Sequence, residues 1–444
     1  MKLETIVALA TPPLKSALGI IRLSGMETFT IINRVFFTNT GSLSERGIYH
    51  GWIKDGDETI DEVVVLAYIQ PKSYTGEDLV EIIFHGSPLI AQQILSILIK
   101  YGARSAEPGE FSSRAFLNNK IDLIQAEAIN DMINATSLEA KKLALYSLKG
   151  ETSDKILPVQ VKIADLVSLI EVNIDYPEYT DIEIATTEKV LADTNEITKA
   201  IDLLIDEGRQ GKIIKEGLKV AIVGKPNVGK SSLLNALIGE EKAIVTNVAG
   251  TTRDIVEGEI NLDGIILHLY DTAGIRESQD QIESIGIGKA KQVLTDADLI
   301  ILVIDGSRTL DEEDQKILEL TQERKRLIVY NKSDLTNIEK HDGKLYVSAL
   351  TKDISALKRA IVKLFAIDNA SFSRPSLTNA RQLGLLAQAK QNLLTAQELA
   401  KQKIPLDLIN VELQAALMAI NDVLGKTGDS DLSQEIFSRF CLGK

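Results

Sequence analysis

One cysteine, one tryptophan, four histidines and an aromatic content of 5% are sparse for a 444-residue chain. The single cysteine, Cys441, excludes an internal disulfide and a zinc–cysteine cluster. His50, His85, His268 and His341 stand at no metal-ligand spacing and read as structural or surface histidines. Long apolar runs are missing: stretches such as Leu299 to Ile304 are far too short to cross a bilayer. The opening Met1-Lys2-Leu3-Glu4 lacks a basic region followed by an apolar run, so no signal peptide is expected, and a cytoplasmic, membrane-free protein is. Positive charge is also short. Lys and Arg number 49 against 63 Asp and Glu, a net charge of −14, so any nucleic-acid contact must use a local patch or a partner. Hydrophobic content, 44%, is ordinary, and the length allows two or three cores.

Against these absences stands Gly224-Lys225-Pro226-Asn227-Val228-Gly229-Lys230-Ser231, with Ser232 after it. It follows the apolar run Val220 to Val223 and opens a helical pattern, giving strand, phosphate loop, helix. Glycines let backbone N–H groups turn inward around phosphate oxygens, Lys230 reaches the β/γ-phosphates, and the Ser231 hydroxyl ligates Mg²⁺. Asp271-Thr272-Ala273-Gly274 ends a second apolar strand, Ile265 to Tyr270. An Asp there holds Mg²⁺ through water, and the Gly274 backbone can approach the γ-phosphate. Asn331-Lys332-Ser333-Asp334 ends a third, Arg326 to Tyr330. Asp334 can accept from both guanine N1–H and the guanine 2-amino group; adenine offers neither, so ATP would leave the carboxylate desolvated and unpaired. Ser348-Ala349-Leu350, after Leu345 to Val347, is the backing loop for the base. Between the first two elements lies Gly250-Thr251-Thr252-Arg253-Asp254. Thr252 there is the candidate second Mg²⁺ hydroxyl on a switch loop.

One residue needed for hydrolysis is out of place. Where Ras-like proteins put a water-orienting glutamine after the Asp-x-x-Gly glycine, this chain has Ile275. Glu283, at the start of the next helical pattern, could hold the water; it could equally be an acid stabilised by a helix N-terminus. A transition-state cation is also required. Arg253 and Arg276 are candidate internal fingers, and the alternative is a bound monovalent cation beside the side-chain oxygen of Asn227.

The chain falls into three styles. Residues 1–118 alternate β-type runs (Thr5 to Ala8, Gly19 to Leu23, Val63 to Ala67, Leu79 to Ile83) with turns and one helical stretch, Pro88 to Tyr101, which predicts an α+β domain. Residues 119–212 carry helical spacing, interrupted near Asp175-Tyr176-Pro177-Glu178. An α/β nucleotide domain occupies 217–370, and helical spacing returns over 375–444. The economical fold is multidomain: an α+β N-terminal domain, then an all-α domain built from 119–212 and 375–444 into which a Ras-like P-loop domain is inserted.

Several segments outside the nucleotide motifs carry a resemblance. These are Ala10-Thr11-Pro12-Pro13, Gly19 to Gly25, Tyr74-Thr75-Gly76-Glu77-Asp78, Pro108-Gly109-Glu110-Phe111, Arg114 through Lys120, Asp122-Leu123, Gln125 to Ala128, and the ending Phe440-Cys441-Leu442-Gly443-Lys444. With them the chain resembles the MnmE (TrmE) family of tRNA-modification GTPases over essentially its whole length. It departs at Leu14-Lys15, at Ser87 and at Leu442, of which Ser87 could alter a folate loop.

The resemblance implies K⁺-dependent GTP hydrolysis coupled to addition of an aminomethyl or carboxymethylaminomethyl group at C5 of the wobble uridine of tRNA. It implies a homodimer working with an FAD protein of the MnmG type, as a heterotetramer, and a one-carbon unit from 5-formyl- or methylene-tetrahydrofolate. Folate contacts would be Arg22, Glu81, Lys120 and Lys444; the anionic glutamyl tail suits Arg and Lys, and a carboxylate suits the guanine-like pterin edge. K⁺ ligands would be Asn227 and the loop Thr246 to Thr251, including Val248. Mg²⁺ ligands would be Ser231 and Thr252, and the catalytic set Lys230, Thr252, Asp271 and Glu283. Cys441 matches the family's C-terminal cysteine, either a small buried residue or a reactive thiol. A different class stays open beside this one: a regulatory GTPase switch, for example in ribosome assembly, which needs no folate pocket.

Overall fold

A computed structural model describes residues 4–39, 41–176, 186–240, 258–271, 296–335, 341, 343–365, 371–426, 436–438, 440 and 443. The chain divides into two compact units. One is Met1–Ile133, Ser147–Gln160 and Gln414–Lys444; the other is Asn134–Tyr146 and Val161–Leu413. Among the described residues no helix is long and apolar enough to cross a membrane.

The first unit holds a seven-stranded sheet. Its elements in chain order are β1 (Ile6–Leu9), β2 (Leu18–Ser24), α1 (Thr28–Val35), β3 (Phe36–Phe37), β4 (Gly47–Asp55), β5 (Glu58–Tyr68), β6 (Leu79–His85), α2 (Pro88–Lys100), β7 (Arg104–Ser105), α3 (Glu110–Leu117) and α4 (Leu123–Asn134). The sheet order is β3-β4-β5-β6-β2-β1-β7, antiparallel except for the β1–β7 pair. Successive strand residues point to opposite faces. Val7, Ile21, Leu23, Val80 and Ile82 thus meet Ile31, Ile32, Ile94 and Leu98 of α1 and α2 in the main core. Ile6 and Ala8 face the other way, onto Phe111 of α3 and Tyr74. The same alternation turns Arg22 and Glu81 onto that second face. A separate cluster joins Phe116, Leu123 and Ala126 to Phe437 and Phe440.

The helices α5 (Leu138–Leu148), α6 (Glu151–Asp175) and α7 (Thr187–Glu216) follow. α7 starts at Thr186, whose side chain accepts from the Lys189 N–H, and ends at Gly217, one residue before the second sheet. That sheet and its helices are β8 (Leu218–Val223), α8 (Lys230–Glu240), β9 (Gly258–Leu262), β10 (Ile265–Asp271), β11 (Leu299–Asp305), α9 (Glu312–Leu320), β12 (Arg326–Asn331), β13 (Leu345–Tyr346) and α10 (Ser355–Leu364). The order β13-β12-β11-β8-β10-β9 is parallel apart from β9, and β11 is buried along its whole length, as a parallel central strand must be. Leu143 of α5 belongs to this sheet's core. After this sheet come α11 (Ala380–Lys401), opened by an Asn379–Gln382 capping box and packed along α7, and α12 (Leu406–Leu424).

Most of the sequence-read strands lengthen by a residue or more, but Thr5 to Ala8 shifts by one to Ile6–Leu9, Leu345 to Val347 shortens to Leu345–Tyr346, and β4 is a strand that the apolar pattern does not reveal. Its alternation runs through Gly47, His50, Gly51 and Lys54, which dilute the apolar signal.

Candidate functional site

The phosphate loop leaves the buried strand β8 at the carboxyl edge of the parallel sheet, where open α/β folds bind ligands. Gly224, Asn227 and Gly229 all take positive φ (156°, 62° and 95°), a region open to glycine and, among residues with a side chain, adopted most readily by asparagine and aspartate. Gly229 is obligatory: a Cβ there would stand 2.2 Å from Asn331 Nδ2. The Val228 side chain plugs the core below the loop, and α8 begins at Lys230, so the hydroxyls of Ser231 and Ser232 sit in its exposed first turn. Lys230 Nζ lies back over the loop and donates to the Lys225 carbonyl at 2.8 Å. Asp271 ends β10 opposite Ile222 of β8; its side chain lies outside the described residues.

Asn331 stitches this loop to the base-side loops. Its amide, 2% exposed, donates to the Val228 carbonyl at 2.9 Å, and its oxygen accepts from the Ala349 N–H at 3.0 Å. Ser348 Oγ donates to Asp334 Oδ1 at 2.6 Å and accepts from the Thr351 N–H at 3.2 Å. One Asp334 oxygen is thereby fixed and the carboxylate is aimed. The structure thus brings Val228, Gly229, Asn331, Lys332, Asp334, Ser348 and Ala349 together.

Lys225 makes a second brace, 2.5 Å from Asp311 Oδ2 and 3.2 Å from Glu313. Asp311 caps α9, accepting from the N–H groups of Glu313 and Asp314. The hydrogen bond from Lys225, then that cap, hold its carboxyl at about 2. Sequence reading passed over this brace, and over Asp305 at the end of β11.

In the other unit Arg22 and Glu81 are cross-strand neighbours. Arg22 Nε and Nη2 donate to Glu81 Oε1 at 3.0 and 2.7 Å, and Nη1 donates to the Gly443 carbonyl at 3.1 Å. The guanidinium lies 5.2 Å from the Tyr74 ring centre and 5.6 Å from that of Phe111. Burial raises the Tyr74 hydroxyl pKa, against a hydrogen bond shared with Ser112 Oγ at 2.8 Å. Lys120 Nζ donates to the Pro71 carbonyl at 3.0 Å, in the loop that carries Tyr74.

The same loop ends in a buried charge network that sequence reading did not find. Arg114, 2% exposed, donates to Glu77, to Glu110 and to the Glu4 carbonyl, and Ser24 Oγ donates to Glu77 Oε2. Of the residues expected from sequence, Thr246, Val248, Thr251, Thr252, Gly274, Glu283, Cys441 and Lys444 lie outside the described residues, as do Arg253 and Arg276.

Two family descriptions match. "GTP-binding protein TrmE N-terminus" matches residues 5–120 and "MnmE helical domain" matches residues 123–441. The chain is 42% identical over 448 residues to the tRNA modification GTPase MnmE of Acholeplasma laidlawii, covering 100% of both chains. To that of Lactiplantibacillus plantarum it is 40% identical over 456 residues, covering 99% of this chain and 98% of the other. Among solved structures it is similar to the G domain of the T. maritima FeoB iron transporter: 32% identity, 34% of this chain, 99% of that one, TM-score 0.26.

Proposed function

The chain belongs to the MnmE family of tRNA modification GTPases, and from that premise we propose that it is the K⁺-dependent, GTP-hydrolysing component of wobble-uridine C5 modification. The added aminomethyl or carboxymethylaminomethyl group takes its carbon from 5-formyl- or methylene-tetrahydrofolate. The partners are a second copy of this chain, an FAD protein of the MnmG type and tRNA, all in the cytoplasm.

The observation that carries the reading is the Asn331 side chain. It ties the phosphate loop to the Ser348–Ala349 loop while Ser348 aims Asp334. A phosphate cradle and a carboxylate directed at a base edge are the two ends of a guanine nucleotide. Ser231, at the start of α8, is a hard oxygen donor that suits Mg²⁺, with Thr252 as the second hydroxyl and Asp271 acting through water. Asn227, exposed at positive φ, suits K⁺ together with Thr246, Val248 and Thr251. Mg²⁺ and K⁺ would supply positive charge as the phosphoryl group transfers, and Lys230 would add its own. Glu283 would orient the water. In the N-terminal unit the Arg22–Glu81 pair offers a carboxylate to a pterin edge, with Lys120 and Lys444 for the glutamyl tail.

The test is mass spectrometry of wobble nucleosides in tRNA from cells lacking this protein. Loss of the C5-modified uridines, restored by wild type and not by Asp271→Ala, supports the reading. An unchanged profile leaves a regulatory GTPase switch. Equal turnover in K⁺ and Na⁺ removes the cation.

A further inference from the structure

Beside the guanine-recognising Asp334, Lys332 of the same motif pairs with a residue outside every motif, Asp305. Asp305 is the last residue of β11 and stands opposite Asn331, the last of β12. The strand ends are fastened there by a hydrogen bond from the Gly306 N–H to the Asn331 carbonyl at 2.9 Å. Lys332 follows at φ +66°, a conformation that is strained for a residue with a side chain, and its Nζ meets Asp305 Oδ2 at 2.6 Å. The other carboxylate oxygen, Oδ1, accepts from the Ser307 N–H at 3.0 Å and from Ser307 Oγ at 2.6 Å. Asp305 is 9% exposed. A carboxylate so placed has one cation and two fixed donors, so it is held rigidly and remains ionised. Burial pushes its carboxyl up, and the bonds from Lys332 and Ser307 outweigh burial and bring it below the ordinary range.

The consequence falls on Lys332. A lysine stem is apolar along its length, and only its ammonium seeks water. Lys332 follows Asn331, which grips the phosphate loop, and precedes Asp334 by two residues, so pinning its ammonium to Asp305 fixes the course of the stem beside that segment. We propose that Asp305 is a positioning residue of the guanine site: it anchors the Lys332 ammonium so that the lysine stem forms an apolar wall for the base. This rests on reading Asn331 to Asp334 as the guanine-recognising segment. The strained backbone at Lys332 fits the role, since strain persists only where surrounding contacts over-determine it. Asp305 is assigned no contact of its own with base or phosphate and acts through Lys332.

The test compares full-length wild type with Asp305→Asn, Lys332→Met and the double variant, measuring GDP affinity with a fluorescent GDP analogue and steady-state GTP turnover. The amide keeps the shape and the Ser307 bonds and loses the charge. Asp305→Asn is expected to weaken GDP binding and raise KM about tenfold, with kcat within about twofold, because only the base end of the site is loosened. In the Lys332→Met background it is expected to add nothing, since the anchored group is already gone. Asp305→Glu, which keeps the charge, is expected to restore part of the affinity. A loss of thermal stability with unchanged KM would make Asp305 merely structural and overturn the proposal. Additive effects of the two substitutions would overturn it as well. If Lys332→Met itself binds GDP as wild type does, an unanchored stem serves as well and the proposal is overturned; if wild type shows no preference for GDP over ADP, the reading of the base site is what fails. If Asp305→Asn does not fold, Ser307→Ala takes its place: it removes one of the bonds that aim the carboxylate, and KM must rise about twofold with kcat unchanged for the proposal to stand.

Discussion

Arg22 and Glu81 face each other across β2 and β6, and two guanidinium N–H groups converge on one carboxylate oxygen. The pair is mostly out of water, 16% and 18% exposed, with the rings of Tyr74 and Phe111 beside the cation. Removing one partner strands the other. Arg22→Ala is expected to cost about 1–3 kcal/mol. Arg22→Ala with Glu81→Gln is expected to cost less than the sum of the two single changes. Both single variants are also expected to lose 5-formyltetrahydrofolate binding. Urea unfolding followed by Trp52, the only tryptophan and a residue of the same unit, reads the stability terms. Strict additivity would show that the pair is not energetically coupled.

Asn331 and Asp334 lie three residues apart and do different work. Asn331→Ala leaves the Val228 carbonyl and the Ala349 N–H without their buried partner, at about 1–3 kcal/mol each. GTP affinity is expected to fall about 100-fold with base preference intact, because Asp334 is untouched. Asp334→Asn replaces a base-side acceptor with a donor, so GTP is lost and xanthosine triphosphate, with an oxygen at the 2-position, is gained. Titration of both nucleotides against both variants separates the roles; a change of base preference in Asn331→Ala would contradict the division.

The nucleotide motifs were legible because their chemistry is local. Gly224 to Ser231 and Asn331 to Asp334 carry order and spacing within a few residues, and the strands that present them are short apolar runs. The run Leu79 to Ile83 likewise read as a strand, which became β6. The face and its occupants were not legible, because period fixes which way a side chain points and not what covers it. Arg114 enters from sequence only as part of a family-like segment, yet it is 2% exposed and meets Glu77, 37 positions earlier. Leu143 reads as one more apolar residue in a helix, yet it completes the core of the nucleotide-binding sheet. Asp305 is, in sequence, only the end of a strand.

Acid sensitivity of the N-terminal unit is expected to pass through Glu110. Burial pushes its carboxyl up, but hydrogen bonds from Arg104, from the Glu107 N–H and from Arg114 outweigh it and hold the carboxyl below its usual value. A carboxyl lowered by folding contributes stability that is full above its unfolded value, about 4.3, and is lost as pH falls through the lower folded value. Wild type should therefore lose stability as pH drops below about 4.3. Glu110→Gln should start less stable at neutral pH and show a shallower acid slope. Urea midpoints from Trp52 fluorescence across that range test this, and parallel slopes would assign the acid sensitivity elsewhere.

Two helical glycines should respond to alanine with opposite signs. Propensity alone favours alanine inside a helix by about 1 kcal/mol. Gly384, in α11, has nothing within 4 Å of where a Cβ would sit, so Gly384→Ala is expected to gain about 0.5–1 kcal/mol. Gly208, in α7, is the seat for the chain entering α11. A Cβ there would lie 2.4 Å from the Leu377 carbonyl oxygen and 2.5 Å from Leu383 Cδ2. A backbone carbonyl cannot rotate aside as a side chain can, and Leu377 is itself buried. Overpacking of this kind costs about 1–3 kcal/mol, which exceeds the propensity gain. Gly208→Ala is therefore expected to lower the thermal midpoint while Gly384→Ala raises it, both read by calorimetry on the full chain. If both rise, the close approach of α7 to residues 376–378 is looser than the structure has it, and propensity governs at Gly208 too.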